Sequence, residues 1–342
     1  MYFTSDNASG AHPDILAALT RANDGFARSY GADAIMQRVT ERVREVFEHP
    51  DAAVYLVSTG TAANSLALAI YSQPWSAVFA HTDAHIATDE CGAPEFYTSG
   101  AKLIGVPGDH GKMNPESLAQ AIGRIGEVGV HGVQRGMVSI TNVTEAGTVY
   151  TPAEIAALTA VAKSYGLPCH LDGARFANSL VTSNASAAQM TWAAGIDVVS
   201  FGGTKNGCLG VEAVVIFDPA KAWEFELRRK RAGHLVSKHR YLSAQMEAYL
   251  EGDLWLRLAR QANATGARLA QGVAGAGARH QHPAQANMMF PEWSLGTHAR
   301  LEAAGAAYYQ MPARAGFEAA RLVTSWNTTE AEVDQFLSVL RA

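Results

Sequence analysis

The chain has 342 residues, of which 48% are hydrophobic and 17% are charged, below the ~25% charged share of an average protein. This composition excludes extensive disorder, because disordered chains are poor in apolar residues. The net charge of −5 argues against a nucleic-acid partner, since nucleic-acid binding proteins carry dominant basic regions. At ~100–200 residues per domain, the length predicts two domains.

Membrane and secretion signals are not found in the sequence. The N-terminal residues lack the basic and apolar regions of a signal peptide, and no apolar run reaches the ~18 residues of a membrane span. Cys91, Cys169 and Cys208 lack a metal-binding spacing and are typical of thiols in a reducing compartment. We therefore expect a soluble, cytoplasmic protein.

Strand and helix patterns alternate through the first two thirds of the chain. Short apolar runs predict strands at residues 52–57, 77–80, 103–106, 136–141, 167–171, 196–201 and 211–217. Helical spacing predicts helices at 62–71, 115–125 and 152–165, the last two capped by Asn114 and Thr151. The alternation predicts an α/β fold, in which helices sandwich a mostly parallel sheet.

The last third of the sequence is mainly helical. Helical spacing covers residues 242–258 and 262–269, a break rich in glycine and alanine follows at 272–277, and a final helix spans 328–340. Apolar segments at 286–290 and 321–325, the second a predicted strand, flank a helix at 297–305. We predict an N-terminal arm (1–20), a large domain (21–240) and a smaller C-terminal α+β domain (241–342).

Three junctions at predicted strand ends carry candidate chemistry, since ligands bind at the carboxyl ends of the strands in doubly wound sheets. At the first, Thr59-Gly60-Thr61 resembles a phosphate cradle, because small residues let an anion approach the amino end of the next helix. An ordinary strand-to-helix turn is the alternative.

The second and third junctions hold charged side chains. Asp172 is suited to hold a cationic ring nitrogen or to cap the next turn, and Arg175 to bind a carboxylate or to pair with Asp172. Lys205, after two glycines and a threonine that leave room for a flat cofactor, is either a nucleophilic amine or a solvated loop lysine. An anion site, a carboxylate and a lysine in this order together indicate a pyridoxal-phosphate site.

The sequence resembles the fold-type-I pyridoxal-phosphate enzymes, and within them the low-specificity L-threonine aldolases. The resembling segments occur in the family's order along nearly the whole chain: Ser5-Asp6-Asn7, Ser29-Tyr30-Gly31, residues 59–64, Ala84-His85, Asp89-Glu90-Cys91-Gly92, residues 170–175, residues 200–207 and Arg321-Leu322-Val323-Thr324.

The resemblance implies a role for individual residues. Lys205 would hold the cofactor as a Schiff base, Asp172 would pair with its pyridinium nitrogen, and His85 would stack on its ring. Its phosphate would be bound by Gly60, Thr61 and Arg229. The substrate would be bound by Ser5, Arg175 and Arg321, with Tyr30 contributed across a subunit interface.

The general base is the point at which the sequence departs from the family. Some threonine aldolases have a histidine after the predicted strand at 136–141, whereas residues 142–147 here contain none. The candidates are then His85, His131 and water, and for His131 the alternative is a solvated loop histidine. Asp89, four residues after His85, shares its face if the segment is helical, or is a surface charge.

The resemblance implies cleavage of L-threonine, L-allo-threonine or phenylserine to glycine and an aldehyde, by a homo-oligomer that we expect to be a tetramer. The alternatives are β-elimination, racemisation or transamination on the same cofactor, or a non-catalytic pyridoxal-phosphate-binding protein. We expect no metal, because His81/His85 and His280/His282 lack the setting of a zinc site. Residues 272–277 follow a helix rather than a strand, which argues against a dinucleotide-binding loop.

Overall fold

The computed structural model describes all 342 residues and confirms the predicted α/β class. The large sheet has seven strands in the order β1-β7-β6-β5-β4-β2-β3, namely β1 (Ala53–Val57), β2 (Ser76–His81), β3 (Lys102–Val106), β4 (Gln134–Thr141), β5 (Cys169–Gly173), β6 (Val198–Gly202) and β7 (Glu212–Ile216). Only β7 runs antiparallel to its neighbours, β1 and β6. The carboxyl ends of the other strands therefore share one edge.

Ten helices accompany this sheet: α1 (Pro13–Ala22), α2 (Ala34–Val46), α3 (Gly60–Ala69), α4 (His85–Thr88), α5 (Ala93–Tyr97), α6 (Pro115–Gly123), α7 (Pro152–Ser164), α8 (Phe176–Ser183), α9 (Ala187–Met190) and α10 (Ala222–Arg231). Every residue of β2, β5, β6 and β7 is buried, as expected when helices cover both faces of a sheet. The caps predicted at Asn114 and Thr151 are present, the second as a capping box with Glu154.

The C-terminal part contains four helices, α11 (Arg240–Leu250), α12 (Leu254–Gly275), α13 (Thr297–Ala303) and α14 (Glu330–Arg341). Its antiparallel sheet has the order β11-β12-β10-β8, and β9 pairs with β12, the strands being β8 (Arg279–His280), β9 (Met288–Met289), β10 (Pro291–Ser294), β11 (Tyr309–Met311) and β12 (Phe317–Val323). No helix of the structure combines the length and the hydropathy that crossing a bilayer requires.

The N-terminal segment belongs to this smaller sheet in space. The Phe3 N–H donates to the Ala307 carbonyl at 2.8 Å, and the Phe3 carbonyl accepts from Val323 at 2.9 Å. The Phe3 ring is fully buried and packs edge-on against Phe336, with centroids 5.2 Å apart. The first residues thus complete a core that is otherwise built from the C-terminal part.

Two details of the predicted helices are wrong. The break expected at 272–277 does not begin at Gly272, because α12 continues to Gly275. Gly272 instead lets α14 pack closely against the helix, since a Cβ there would lie 2.1 Å from Leu337. The helix predicted over 242–258 is instead interrupted at Glu251–Asp253, where Gly252 and Asp253 have positive φ angles.

The predicted domain boundary at residue 241 stays a prediction, and the packing of two helices favours a later one. The buried residues of α11 belong to the same core as α1 and α2. Along α12, Leu254 and Leu258 join that core, whereas Leu269 and Val273 join the core of the smaller sheet. We therefore propose that the boundary lies within α12.

Candidate active site

A cavity of about 270 Å³ lies at the carboxyl edge of the large sheet. Its lining includes Ser58–Thr61 after β1, His85 after β2, Glu145 after β4, Asp172 on β5 and Lys205 after β6. Five of the predicted site residues (Gly60, Thr61, His85, Asp172 and Lys205) are thus brought into one space, although up to 145 positions separate them in the sequence.

The amino end of α3 opens onto this cavity. Thr59 caps the helix by accepting the N–H of Ala62 at 3.2 Å. A Cβ at Gly60 would meet no atom within 4 Å, so this end of the helix is accessible from the cavity. Free N–H groups at a helix amino end bind anions, and the Ser58 hydroxyl, 3.2 Å from His234 Nδ1, adds a further hydrogen-bonding group.

Arg229, predicted to bind phosphate, does not line the cavity itself. It is buried beside β1, where Nη1 donates to the Leu56 carbonyl at 3.3 Å and the guanidinium lies 4.9 Å from the Tyr55 ring centroid. Its Nε has no hydrogen-bond partner. Burial lowers the pKa of Arg229, so an anion within reach of this group would relieve the cost of burying its charge.

Lys205 lies in a short 3-10 helix, Thr204–Asn206, that is fixed on both sides. The Gly203 N–H donates to Glu212 at 2.7 Å, and the Asn206 amide donates to the Tyr249 hydroxyl at 2.7 Å. These bonds hold the lysine stem at the cavity wall.

The glycines before Lys205 are also required for packing, while their predicted role of leaving room for a cofactor stays a prediction. A Cβ at Gly202 would lie 2.3 Å from the Ala174 carbonyl oxygen, and one at Gly203 would lie 2.7 Å from the Val211 oxygen. The glycines therefore allow close packing of backbone against backbone, which places the loop that carries Lys205.

Asp172 and His85 belong to one buried chain of hydrogen bonds. Asn64 Nδ2 donates to Asp172 at 3.1 Å and to Glu90 Oε1 at 2.9 Å, and the same Glu90 oxygen lies 2.8 Å from His85 Nδ1. Asp172 also accepts the N–H of Ala174 at 3.0 Å, so it caps the next turn and faces the cavity at once.

Glu90 holds the imidazole of His85. The hydrogen bond that Glu90 accepts from His85 Nδ1 raises the pKa of His85, against the opposing effect of burial. The His85 side chain is 31% exposed and is held at Nδ1, so its ring is available to the cavity while its orientation is fixed.

A second cavity, of about 1000 Å³, adjoins the first. Arg321 on β12 lines it, and Glu145 lines both. Arg175 is buried and paired with Asp6, through Nε at 2.7 Å and Nη2 at 3.0 Å, rather than with Asp172 as one alternative suggested. Burial and the charge of Arg175 lower the pKa of Arg321, so a substrate carboxylate between the two guanidiniums would be stabilised.

Other predicted residues lie elsewhere. His131 is exposed in the turn Gly129–His131, before the amino end of β4. Since β4 has eight residues, its two ends are roughly 23 Å apart, and the structure does not bring His131 into the site of its own chain. Tyr30 is 48% exposed and lines neither cavity. Ser5 caps the turn Asp6–Ala8, and Asp89, which ends α4, lines only the larger cavity.

Among the residues in or around the site that were not predicted as site residues are Asp6, Asn64, Glu90, Glu145 and Glu212. Three of them, Asp6, Asn64 and Glu90, lie within segments that carry the family resemblance, which was the available signal. Burial raises the pKa of Glu212 to about 7, so this carboxyl beside the lysine loop is about half protonated near neutral pH. No group of three His, Cys, Asp or Glu side chains is arranged to hold a metal ion.

Comparison with known proteins identifies the family of this chain. Residues 3–294 match the beta-eliminating lyase family. The chain is 40% identical to a low specificity L-threonine aldolase of Pseudomonas sp. (strain NCIMB 10558), over 99% of this chain and 97% of that one.

Two solved structures are also similar to this chain. A threonine aldolase of Leishmania major superposes with a TM-score of 0.94 at 32% identity, covering 99% of this chain and 98% of that one. A structure of SPT with PLP shares the fold, with a TM-score of 0.70 at 17% identity, over 100% of this chain and 86% of that one. The chain therefore belongs to the beta-eliminating lyase family, in its threonine aldolase group.

Proposed function

We propose that this chain is a low-specificity L-threonine aldolase, a lyase that uses pyridoxal phosphate to cleave β-hydroxy-α-amino acids to glycine and an aldehyde. The observation that carries the proposal is the convergence of Lys205, Asp172 and His85 in one cavity at the amino end of α3. The two arginines beside that cavity are suited to the carboxylate of an amino acid.

The residues present fit this cofactor. The open helix end at Gly60 suits a phosphate, the buried Asp172 suits a protonated ring nitrogen, and Lys205 supplies the amine. The unpaired Nε of Arg229 supports a phosphate nearby. When bound, pyridoxal phosphate supplies a ring that accepts the electron pair of the breaking Cα–Cβ bond.

The arginines of the site orient the substrate. Arg175 uses Nε and Nη2 to bind Asp6, which leaves Nη1 for a carboxylate oxygen. Arg321 lies in the adjoining cavity, where its one side-chain hydrogen bond is to the Met288 sulfur, through Nε at 3.2 Å. A carboxylate held from both sides fixes the direction of the Cα–Cβ bond, and such orientation contributes roughly several kcal/mol to catalysis.

The assembly and location that we propose are a homotetramer in the cytoplasm. Large apolar side chains are exposed on and near α5 and α10, including Phe96 at 76%, Trp223 at 68% and Leu227 at 53%. Tyr30, exposed in the single chain, would reach the site of a second chain. The three cysteines are unpaired, which supports a reducing compartment. Light scattering that finds a fully active monomer would contradict the assembly.

The test of the proposed activity is an aldehyde-release assay with L-threonine, L-allo-threonine and L-threo-phenylserine. We expect glycine and aldehyde in equal amounts, whereas keto acid would indicate β-elimination or transamination. Borohydride reduction of the holoenzyme followed by peptide mapping should label Lys205. Lys205→Ala should bind the cofactor without releasing aldehyde, and Lys102→Ala, at an exposed position on β3, is the matched control. A label on Lys102, Lys163 or Lys230 instead would refute the site.

A further inference from the structure

Glu145 has a position that no other residue shares. It lines the 270 Å³ cavity with Lys205 and His85, and it also lines the 1000 Å³ cavity with Arg321; no other residue lines both. Glu145 therefore lies where an amino acid bound between Lys205 and Arg321 would pass from one cavity into the other.

The loop that carries Glu145 is fixed by its own hydrogen bonds. Asn142 donates to the Tyr150 carbonyl at 3.0 Å and accepts the Tyr150 N–H at 3.0 Å, which closes the loop at its base. At its tip, Gly147 has φ +78° and packs so closely on the smaller sheet that a Cβ would lie 2.3 Å from the Met288 oxygen. The position of Glu145 is therefore defined from both sides.

The Glu145 carboxylate is surrounded by positive charge but is bound by none of it. Its charge acts on His85, Arg175 and Arg321, and it makes no hydrogen bond with any of the three. Each of these groups has another partner: Glu90 for His85, Asp6 for Arg175 and Met288 for Arg321. The carboxylate is thus half-buried and open to a hydrogen bond from a ligand.

We propose that Glu145 is the catalytic residue that accepts the proton of the substrate's β-hydroxyl during Cα–Cβ cleavage, an inference that rests on the proposed function. The hydroxyl proton moves to a Glu145 carboxylate oxygen, and the O–H electron pair becomes the second bond of the aldehyde carbonyl. The Cα–Cβ electron pair stays with the α-carbon, where bound pyridoxal phosphate would stabilise it, and one proton added there gives glycine. Proton loss and gain balance, so no further reactant is needed.

The two other candidate groups, Asp89 and His85, are less suited to accepting this proton. The Asp89 carboxylate lines only the larger cavity, is exposed and already accepts the Thr88 hydroxyl at 2.9 Å. His85 is already held at Nδ1 by Glu90, and the family resemblance gives its ring the role of stacking on the cofactor.

The test compares Glu145→Gln and Glu145→Ala with Asp89→Asn and with the exposed, remote Glu127→Gln as a control. With L-threonine, both Glu145 variants should lose about 10²–10⁴-fold in kcat, and added formate should restore part of the activity of Glu145→Ala alone. L-2-aminobutyrate, which lacks the hydroxyl, should bind every holoenzyme within about two-fold of the parent, as measured by absorbance titration.

Several results would overturn the assignment. They are a kcat of Glu145→Gln within about three-fold of the parent, an equal or larger loss in Asp89→Asn, or failure of formate to act. Weaker L-2-aminobutyrate binding in the Glu145 variants would also overturn it, since the residue would then shape the site as a whole. Failure of the parent enzyme to release aldehyde from any substrate would instead refute the proposed function.

Discussion

Removing Asp6 should destabilise the protein strongly, because it leaves a buried cation without its partner. Asp6 is 1% exposed and Arg175 is 4% exposed, and two hydrogen bonds of 2.7 and 3.0 Å join them. Breaking a buried ion pair from one side costs about 3–5 kcal/mol. Asn287 also donates to Asp6, at 3.1 Å, so we expect Asp6→Ala to lie in the upper half of that range.

The measurement is the free energy of unfolding in urea for Asp6→Ala, Arg175→Met and the double variant, at one protein concentration so that assembly does not alter the comparison. The double variant should be more stable than the sum of the single changes predicts, because an apolar replacement of both partners removes the cost of burying charge. A loss below about 1 kcal/mol in Asp6→Ala, or additive effects, would refute the reasoning.

The Asp6–Arg175 pair also makes the stability of the protein depend on pH. Burial alone would raise the pKa of Asp6, but the charges of Arg175 and Lys205 hold it below its usual 3.8. Because the folded pKa is below the unfolded one, the stabilisation is present above about pH 4 and is lost as the pH falls through the folded value. Asp6→Ala should therefore show a weaker loss of stability on acidification than the parent.

Three further changes test the site. Arg321→Ala should raise KM for L-threonine and cost about 2–4 kcal/mol in kcat/KM while cofactor affinity changes little; an unchanged KM would remove Arg321 from carboxylate binding. Glu90→Gln should lower the pKa of His85, because the hydrogen bond that raises it loses its charge, and NMR titration of the imidazole checks this. Burial raises the pKa of Glu212 from 4.5 to about 7, so its contribution to stability is present below pH 4.5 and is lost as the pH rises through 7. Glu212→Gln should abolish that decline in urea unfolding curves, and an unaltered decline would contradict the assignment.

The sequence is most informative where a residue's role depends on its chain neighbours. Gly60 and Lys205 each follow a strand directly, so the pattern of apolar runs is enough to place them at one edge of the sheet. Asn114 and Thr151 cap their helices as predicted, because a cap needs only the following turn.

Contacts between distant segments are not predictable in this way. The link from His85 on α4 through Glu90 in the following loop to Asn64 on α3 has no periodic signal in the sequence, either for its distances or for its burial. His131 also shows that closeness in the sequence does not place a residue in the site. It is only three positions from β4 in the sequence, but those positions precede the strand, whereas Glu145 follows it. For a residue beside a strand, the end at which it lies matters more than its distance along the chain.

The placement of the first nine residues has a consequence for how the chain reaches its native state. Phe3 packs against Phe336, more than 300 positions away, while Asp6 reaches Arg175 in the middle of the chain. Contacts of such sequence separation form only after a long loop has closed, and they slow folding. During synthesis, Phe3 remains without its core until the last helix has left the ribosome. A chain truncated before α14 would expose this aromatic surface, which is an aggregation hazard.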